Sequence, residues 1–144
     1  MKKKIGAGIF AIDKNSGKIL LCQRGLDTSF SEMWAVFGGT FEERDGTPKQ
    51  TAKREFFEET GCVVDYKISR EPFFLNSNRF IDFYTYLGVF DGQPEIRINE
   101  ESLSYEWFHI DNLPTNIIPG MREMLDDKMP EIKRLINTMS NSNY

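Results

Sequence analysis

Six carboxylates crowd the stretch GGTFEERDGTPKQTAKREFFEETG, residues 38–61, and three of them, Glu55, Glu58 and Glu59, fall within five consecutive positions. On a helix turning about 100° per residue, with Thr51 as zero, Glu58 lies at about 340°, Glu55 at about 40° and Glu59 at about 80°. All three share one sector. Like charges three and four apart repel by about a few tenths of a kcal/mol per exposed pair, and by more when partly buried. Arg54, four before Glu58, relieves one of them and cannot relieve all. The bland reading is a solvated charged face. Against it, Glu59 lies only about 20° from Ala52 on the apolar stripe, so the carboxylates border the body of the protein. Gly38 and Gly39 offer unhindered backbone carbonyls just ahead, and Glu42, Glu43 and Asp45 add further oxygens. Hard oxygen donors at the edge of a buried face suit Mg²⁺ or Mn²⁺. Such ions clamp phosphoryl oxygens and acidify water.

Other chemistries find little footing. His109 is the single histidine, which excludes repeated histidine ligation and leaves a glutamate as the candidate general base. No GxxxxGK[ST] loop, dinucleotide fingerprint or nucleophile elbow is present. Cys22 and Cys62 have no metal spacing and read as buried thiols in apolar, strand-like runs.

The elements that must position these groups are legible in outline. IGAGIFAI (residues 5–12), KILLCQR (18–24) and WAVF (34–37) read as strands, the first two joined by a DKNSG turn. Thr47, Pro48 and Gln50 give a helix an N-cap, a first-turn proline and a capping box, and Gly61 closes it. Ala52 and Phe56 make its apolar stripe. CVVDYKI (62–68), RFIDFYTYLGVF (79–90) and SYEWFHI (104–110) read as further strands. Residues 121–139 carry a helical period of methionine, leucine and isoleucine that fits core packing, with Pro130 either kinking one helix or opening a second.

The chain of 144 residues has a formal net charge of −4 and 12 phenylalanines. Its size fits one domain, residues 1–144. The charge does not favour a stable nucleic-acid partner, while leaving nucleotides open through bridging metal ions. MKKKIG begins basic without a long apolar run, so neither a leader nor a membrane anchor is expected and the location expected is cytoplasmic. Only the closing SNSNY reads as disordered.

The sequence resembles the Nudix hydrolase superfamily, whose signature is G, five residues, E, seven residues, then REUXEEXGU with U apolar. Arg54, Glu55, Phe56, Glu58, Glu59 and Gly61 match its second half without a gap, and Cys62 takes the final apolar place. GKILLCQR resembles the strand before the box. WAVFGG is similar to W-x-x-P-G-G with Phe37 in place of proline, and YEWFHIDNLP resembles the late strand and turn. The first half departs: the spacing from Gly39 is one residue too long, and Gly46 stands where the first glutamate belongs, with Asp45 or Glu43 as spatial substitutes.

The resemblance implies an α/β/α sandwich with a mixed sheet and the signature loop-helix. It implies hydrolysis of a nucleotide substrate with a pyrophosphate linkage, with Mg²⁺ or Mn²⁺ as cofactor. It gives metal ligation to Glu55, Glu58 and Glu59, with the Gly38 carbonyl as a fourth ligand, and has Arg54 orient the glutamates by ion pairing. A further carboxylate about six residues before the late tryptophan would be Glu101, as ligand or base, with Glu100 beside it. Among substrates, the compact chain is similar to the nucleoside triphosphate pyrophosphatases, acting on an intact or oxidised triphosphate. ADP-ribose, a nucleotide sugar, a dinucleoside polyphosphate, an RNA 5′ end and a non-catalytic nucleotide-binding module are the alternatives. Phe10, Phe74, Phe80, Phe83 or Tyr84 could stack a base, Asn76 to Arg79 could reach one, and the state is a monomer or homodimer.

Overall fold

The computed structural model describes residues 2–141; the expectation for SNSNY lies outside the described residues, apart from the helical backbone of its first two positions. The chain runs through β1 (Lys4–Asp13), β2 (Ile19–Arg24), β3 (Trp34–Ala35), β4 (Phe37–Thr40), α1 (Pro48–Thr60), β5 (Lys67–Ile68), β6 (Phe74–Ser77), β7 (Ile81–Phe90), β8 (Ser102–Phe108) and α2 (Pro119–Asn141). A 3₁₀ turn, Glu43–Asp45, precedes α1.

The central strand is β1, buried along most of its length, as a strand covered on both faces must be. It pairs in parallel with β7 from Lys4↔Ile81 to Asp13↔Phe90, and the far edge of β7 carries β5 and β6, both antiparallel. The other edge of β1 is divided. Gly6 to Ile9 pair with β4, whereas Ala11 and Ile12 pair with β2. Beyond that point β2 leaves β1 and runs between β3 and β8.

Side-chain alternation sends Ala7, Ile9 and Ala11 to one face, against Ala52 and Phe56 of α1. Phe10 and Ile12 go to the other, against Met121, Met124, Leu125 and Ile132 of α2. The result is the α/β/α sandwich with a mixed sheet. The methionines of α2 are core, and Pro130 lies inside one continuous helix.

Some sequence-based elements are revised. Cys62 to Tyr66 form no strand, and only Lys67 and Ile68 pair, because the Cys62 N–H is taken by Thr60 Oγ1 at 3.1 Å and Val63 and Val64 are left exposed. WAVF divides at Val36 into β3 and β4, which pair with different partners. β6 is a strand that the polar sequence around Asn76 conceals; four cross-strand pairs to β7 make it one. The last strand begins two residues earlier than its sequence suggests, at Ser102.

Candidate active site

Helix α1 starts where its sequence says it must. Thr47 Oγ1 accepts the Gln50 N–H at 3.2 Å, Pro48 takes the first turn, and Gly61 closes the helix at φ 64° with its N–H on the Phe57 carbonyl. Phe56 anchors the inner face, its ring 6.0 Å from Phe37 and 5.6 Å from both Tyr66 and Phe90. That packing fixes the helix rotation and turns Glu55 and Glu59 toward the divided edge of β1.

Glu59 is a buried carboxylate, 7% exposed, and its Oε2 has no hydrogen-bond partner among the described residues. Burial, then the charges of Glu55 and Glu101, push it up to about 9, while a backbone hydrogen bond from Gly38 pulls the other way. Glu55 is also raised, first by burial, although Arg54 opposes the shift. One carboxylate oxygen from each of Glu55, Glu59 and Glu101 lies within 4.8 Å of the others. Gly39 makes room for this arrangement: a Cβ there would stand 2.5 Å from Glu55 Oε2 and 2.8 Å from Oε1. The Glu55 carboxylate occupies the place of the missing side chain.

Glu101 arrives from a distant part of the chain and is held by its backbone. Its N–H bonds Asn99 Oδ1 at 3.0 Å, and its carbonyl accepts the Gly25 N–H at 2.8 Å. Asn99 also reaches the Glu58 carbonyl at 3.3 Å, joining this loop to α1. Sequence reasoning passes over Asn99; a short polar residue directly before an acidic pair, two ahead of the N–H it accepts, is the signal of such a side-chain-to-backbone turn.

Glu58 stays outside the trio. Its carboxylate faces Arg54 at 3.1 Å and Arg44 at 3.7 Å. Arg54 is the hub of the opposite side: it grips Asp45 through Nε at 2.7 Å and Nη2 at 3.0 Å, Glu55 at 2.8 Å, and the Thr40 carbonyl at 3.0 Å. Asp45 is therefore the partner of Arg54 and not a member of the trio, while Glu43 is exposed on the 3₁₀ turn. Gly46 has φ 78°, a conformation that suits glycine and would strain a glutamate.

Glu55, Glu59 and Glu101 line a cavity of about 610 Å³ that also reaches Gly38, Asn76, Phe83 and the start of α2. Cys22 lines it too; burial, with Glu59 second, pushes its thiol up to about 12, so it stays an uncharged packing residue. His109 lies just past β8, far outside this lining. Of the aromatic candidates, Phe83 reaches the cavity, whereas Phe10 is core, Tyr84 packs on the α1 side and Phe80 is exposed beside Arg79.

The arrangement fits a divalent cation on its own terms: three converging oxygen donors, one of them buried without a partner among the described residues, and a glycine cradle beneath a second. A cation would offset the burial and the repulsion that raise Glu59.

The profile of the NUDIX domain family matches residues 2–128. Among solved structures, a bifunctional NMN adenylyltransferase/ADP ribose pyrophosphatase from Francisella tularensis superposes with TM-score 0.67 at 21% identity, over 91% of this chain and 42% of that one. The chain thus spans less than half the length of that protein. A Nudix hydrolase from M. smegmatis gives TM-score 0.72 at 18% identity, covering 90% and 84%. A MutT protein from Methanosarcina mazei gives 0.71 at 16%, covering 91% and 97%. At these identities the likeness is one of fold. No curated protein matches the sequence.

Proposed function

The chain belongs to the NUDIX family, and on that premise we propose that it is a divalent-metal-dependent pyrophosphohydrolase. Its substrate in this reading is a nucleoside triphosphate, intact or oxidised, cleaved to the monophosphate and pyrophosphate. The observation that carries the proposal is the buried, unpartnered Glu59 oxygen, set beside Glu55 and Glu101 at the wall of a cavity large enough for a nucleotide.

Glu55, Glu59 and Glu101 would hold Mg²⁺ or Mn²⁺, with Glu58 and the Gly38 carbonyl as the remaining donors. When bound, the ions supply charge neutralisation at the phosphoryl oxygens and acidify water. Arg54 keeps Glu55 in place through its 2.8 Å contact, and Asp45 in turn keeps Arg54 in place. Glu101, the most exposed of the trio, takes the proton of the attacking water. Water adds to one phosphorus of the α–β linkage as the bridging P–O bond breaks, and the bridging electron pair leaves with the other fragment: pyrophosphate for attack at the α-phosphorus, the monophosphate for attack at the β-phosphorus.

The test is release of phosphate and pyrophosphate in Mg²⁺ and in Mn²⁺. Substrates are ordinary and 8-oxo nucleoside triphosphates, ADP-ribose, a dinucleoside tetraphosphate, a nucleotide sugar and 5′-triphosphorylated RNA, with Glu59→Gln and Glu101→Gln alongside. Metal-dependent triphosphate turnover lost in Glu59→Gln supports the proposal. Turnover of ADP-ribose alone, one of the two activities for which the Francisella protein is named, moves the substrate to that class. Metal binding with no turnover leaves a nucleotide-binding module.

A further inference from the structure

The end of the cavity away from the glutamates has a defined hydrogen-bonding polarity. Two rows cross the sheet beneath it. Asn76 of β6 stands opposite Phe83 of β7, which pairs with Gly6 of β1, which pairs with Thr40 of β4. The neighbouring row is Phe74, Thr85, Gly8 and Gly38. Three inter-strand spacings separate Asn76 from β4, about 14 Å. Neither Gly6 nor Gly8 has a side chain, and the Phe83 ring lies over both: a Cβ on Gly6 would stand 2.9 Å from it and one on Gly8 3.1 Å. An aromatic platform therefore lies beside Asn76 and on the path to the glutamates.

The orientation of the Asn76 amide is fixed by its partners. Its Nδ2 donates to the Gly120 carbonyl and to Glu123 Oε2, both at 3.0 Å, at the start of α2. A carbonyl and a carboxylate only accept, so Nδ2 must face them and Oδ1 must face away. Asn78 is fixed the opposite way: its Oδ1 accepts the N–H groups of Phe80 at 2.7 Å and Ile81 at 3.0 Å, leaving Nδ2 over. Both asparagines line the cavity. Among the described residues, these two side chains thus leave Asn76 Oδ1 as a spare acceptor and Asn78 Nδ2 as a spare donor.

We infer that Asn76 Oδ1 reads the nucleobase, accepting an N–H from a base stacked on Phe83, so that bases bearing an N–H donor beside an acceptor are selected over bases carrying acceptors only. The inference rests on the nucleotide reading above. Asn76 serves here as a specificity residue, and Glu123 and Gly120 serve to orient it.

The test compares Kd values for AMP, GMP, CMP and UMP with those for purine riboside and 2-pyrimidinone riboside 5′-monophosphates, which lack the N–H groups. Wild-type protein, Asn76→Ala and Glu123→Ala are measured by titration calorimetry, with triphosphate turnover by the wild type run separately. The expected result is that the best-bound ordinary nucleotide beats its stripped analogue by about tenfold, the worth of one hydrogen bond. The ratio falls to about one in Asn76→Ala and survives in Glu123→Ala, which loses only one tie to α2. Equal binding of ordinary and stripped bases by the wild type overturns the inference whatever the variants do, as does a ratio that survives Asn76→Ala. Turnover without discrimination removes this inference alone; absence of both nucleotide binding and turnover removes the nucleotide reading with it.

Discussion

Arg54 and Asp45 form a two-pronged ion pair, Nε to Oδ1 at 2.7 Å and Nη2 to Oδ2 at 3.0 Å, with the Asp45 side chain 3% exposed. The pair joins the loop to α1 ahead of the acidic face. Asp45 also accepts from Thr51 at 2.8 Å and from the Glu42 backbone at 2.9 Å, so one carboxylate fastens the loop, the helix and the arginine that restrains Glu55.

The first prediction concerns acid. Arg54 above all, with the Glu42 backbone and Thr51 assisting, holds the Asp45 carboxyl well below the usual carboxylate range. A depressed folded-state value means stability that is present above the unfolded value, about 3.9, and is lost as pH falls below it. Asp45→Asn should lower the melting temperature at pH 7, and the gap to wild type should close as pH drops from about 5 toward about 2. Thermal melts across that range check it; a gap that stays constant rules the pair out as its source.

Gly39→Ala should damage the site more than the fold. The new Cβ would enter the place held by the Glu55 carboxylate and push that group off its position. A displacement of about 1 Å at a reacting group costs up to about 100-fold in rate, so kcat should fall by about 10- to 100-fold with weaker cation affinity. Tm should move little. Turnover and cation titration measured on the same preparation separate these effects.

Phe56→Ala tests what sets the helix rotation. The ring is buried and touches Phe37, Tyr66 and Phe90, so the change should cost about 3–5 kcal/mol, as large core truncations do. Urea unfolding measures it. A cost below about 1 kcal/mol would mean that α1 is held by other contacts.

How far the sequence could go depended on how local each feature is. Thr47, Pro48 and Gly61 bound α1 through contacts within a turn, and α1 sits where they place it. β6 could not be read because Phe74–Ser77 alternates weakly and becomes a strand only by lying on β7. Cys62 to Tyr66 failed for the converse reason: an apolar run with no strand beside it. The wheel puts Glu58 in one sector with Glu55 and Glu59, but angle alone omits Arg44 and Arg54, which face it. The meeting of Glu101 with α1 depends on Gly25 and Asn99, contacts that no helical or strand period encodes.

The last prediction follows from Glu59, raised to about 9 chiefly by burial. An unfolded glutamate ionises at about 4.3. Between those values the cation-free folded protein keeps a proton that the unfolded chain has released, so stability falls as pH rises, with a limiting slope of about 1.4 kcal/mol per pH unit. In EDTA, Glu59→Gln should therefore gain stability on the wild type steadily as pH rises from about 4 to about 8, and the two should converge below about pH 4. Adding Mg²⁺ or Mn²⁺ should stabilise the wild type, by about 2.7 kcal/mol at about a hundred times Kd, and the variant little. The buried carboxylate thus weakens the empty fold and strengthens the loaded one. Urea unfolding at about pH 4, 6 and 8, with EDTA or with cation, tests both halves; a wild type indifferent to cations would remove the metal reading, and a variant no more stable at the alkaline end in EDTA would remove the cost assigned to Glu59.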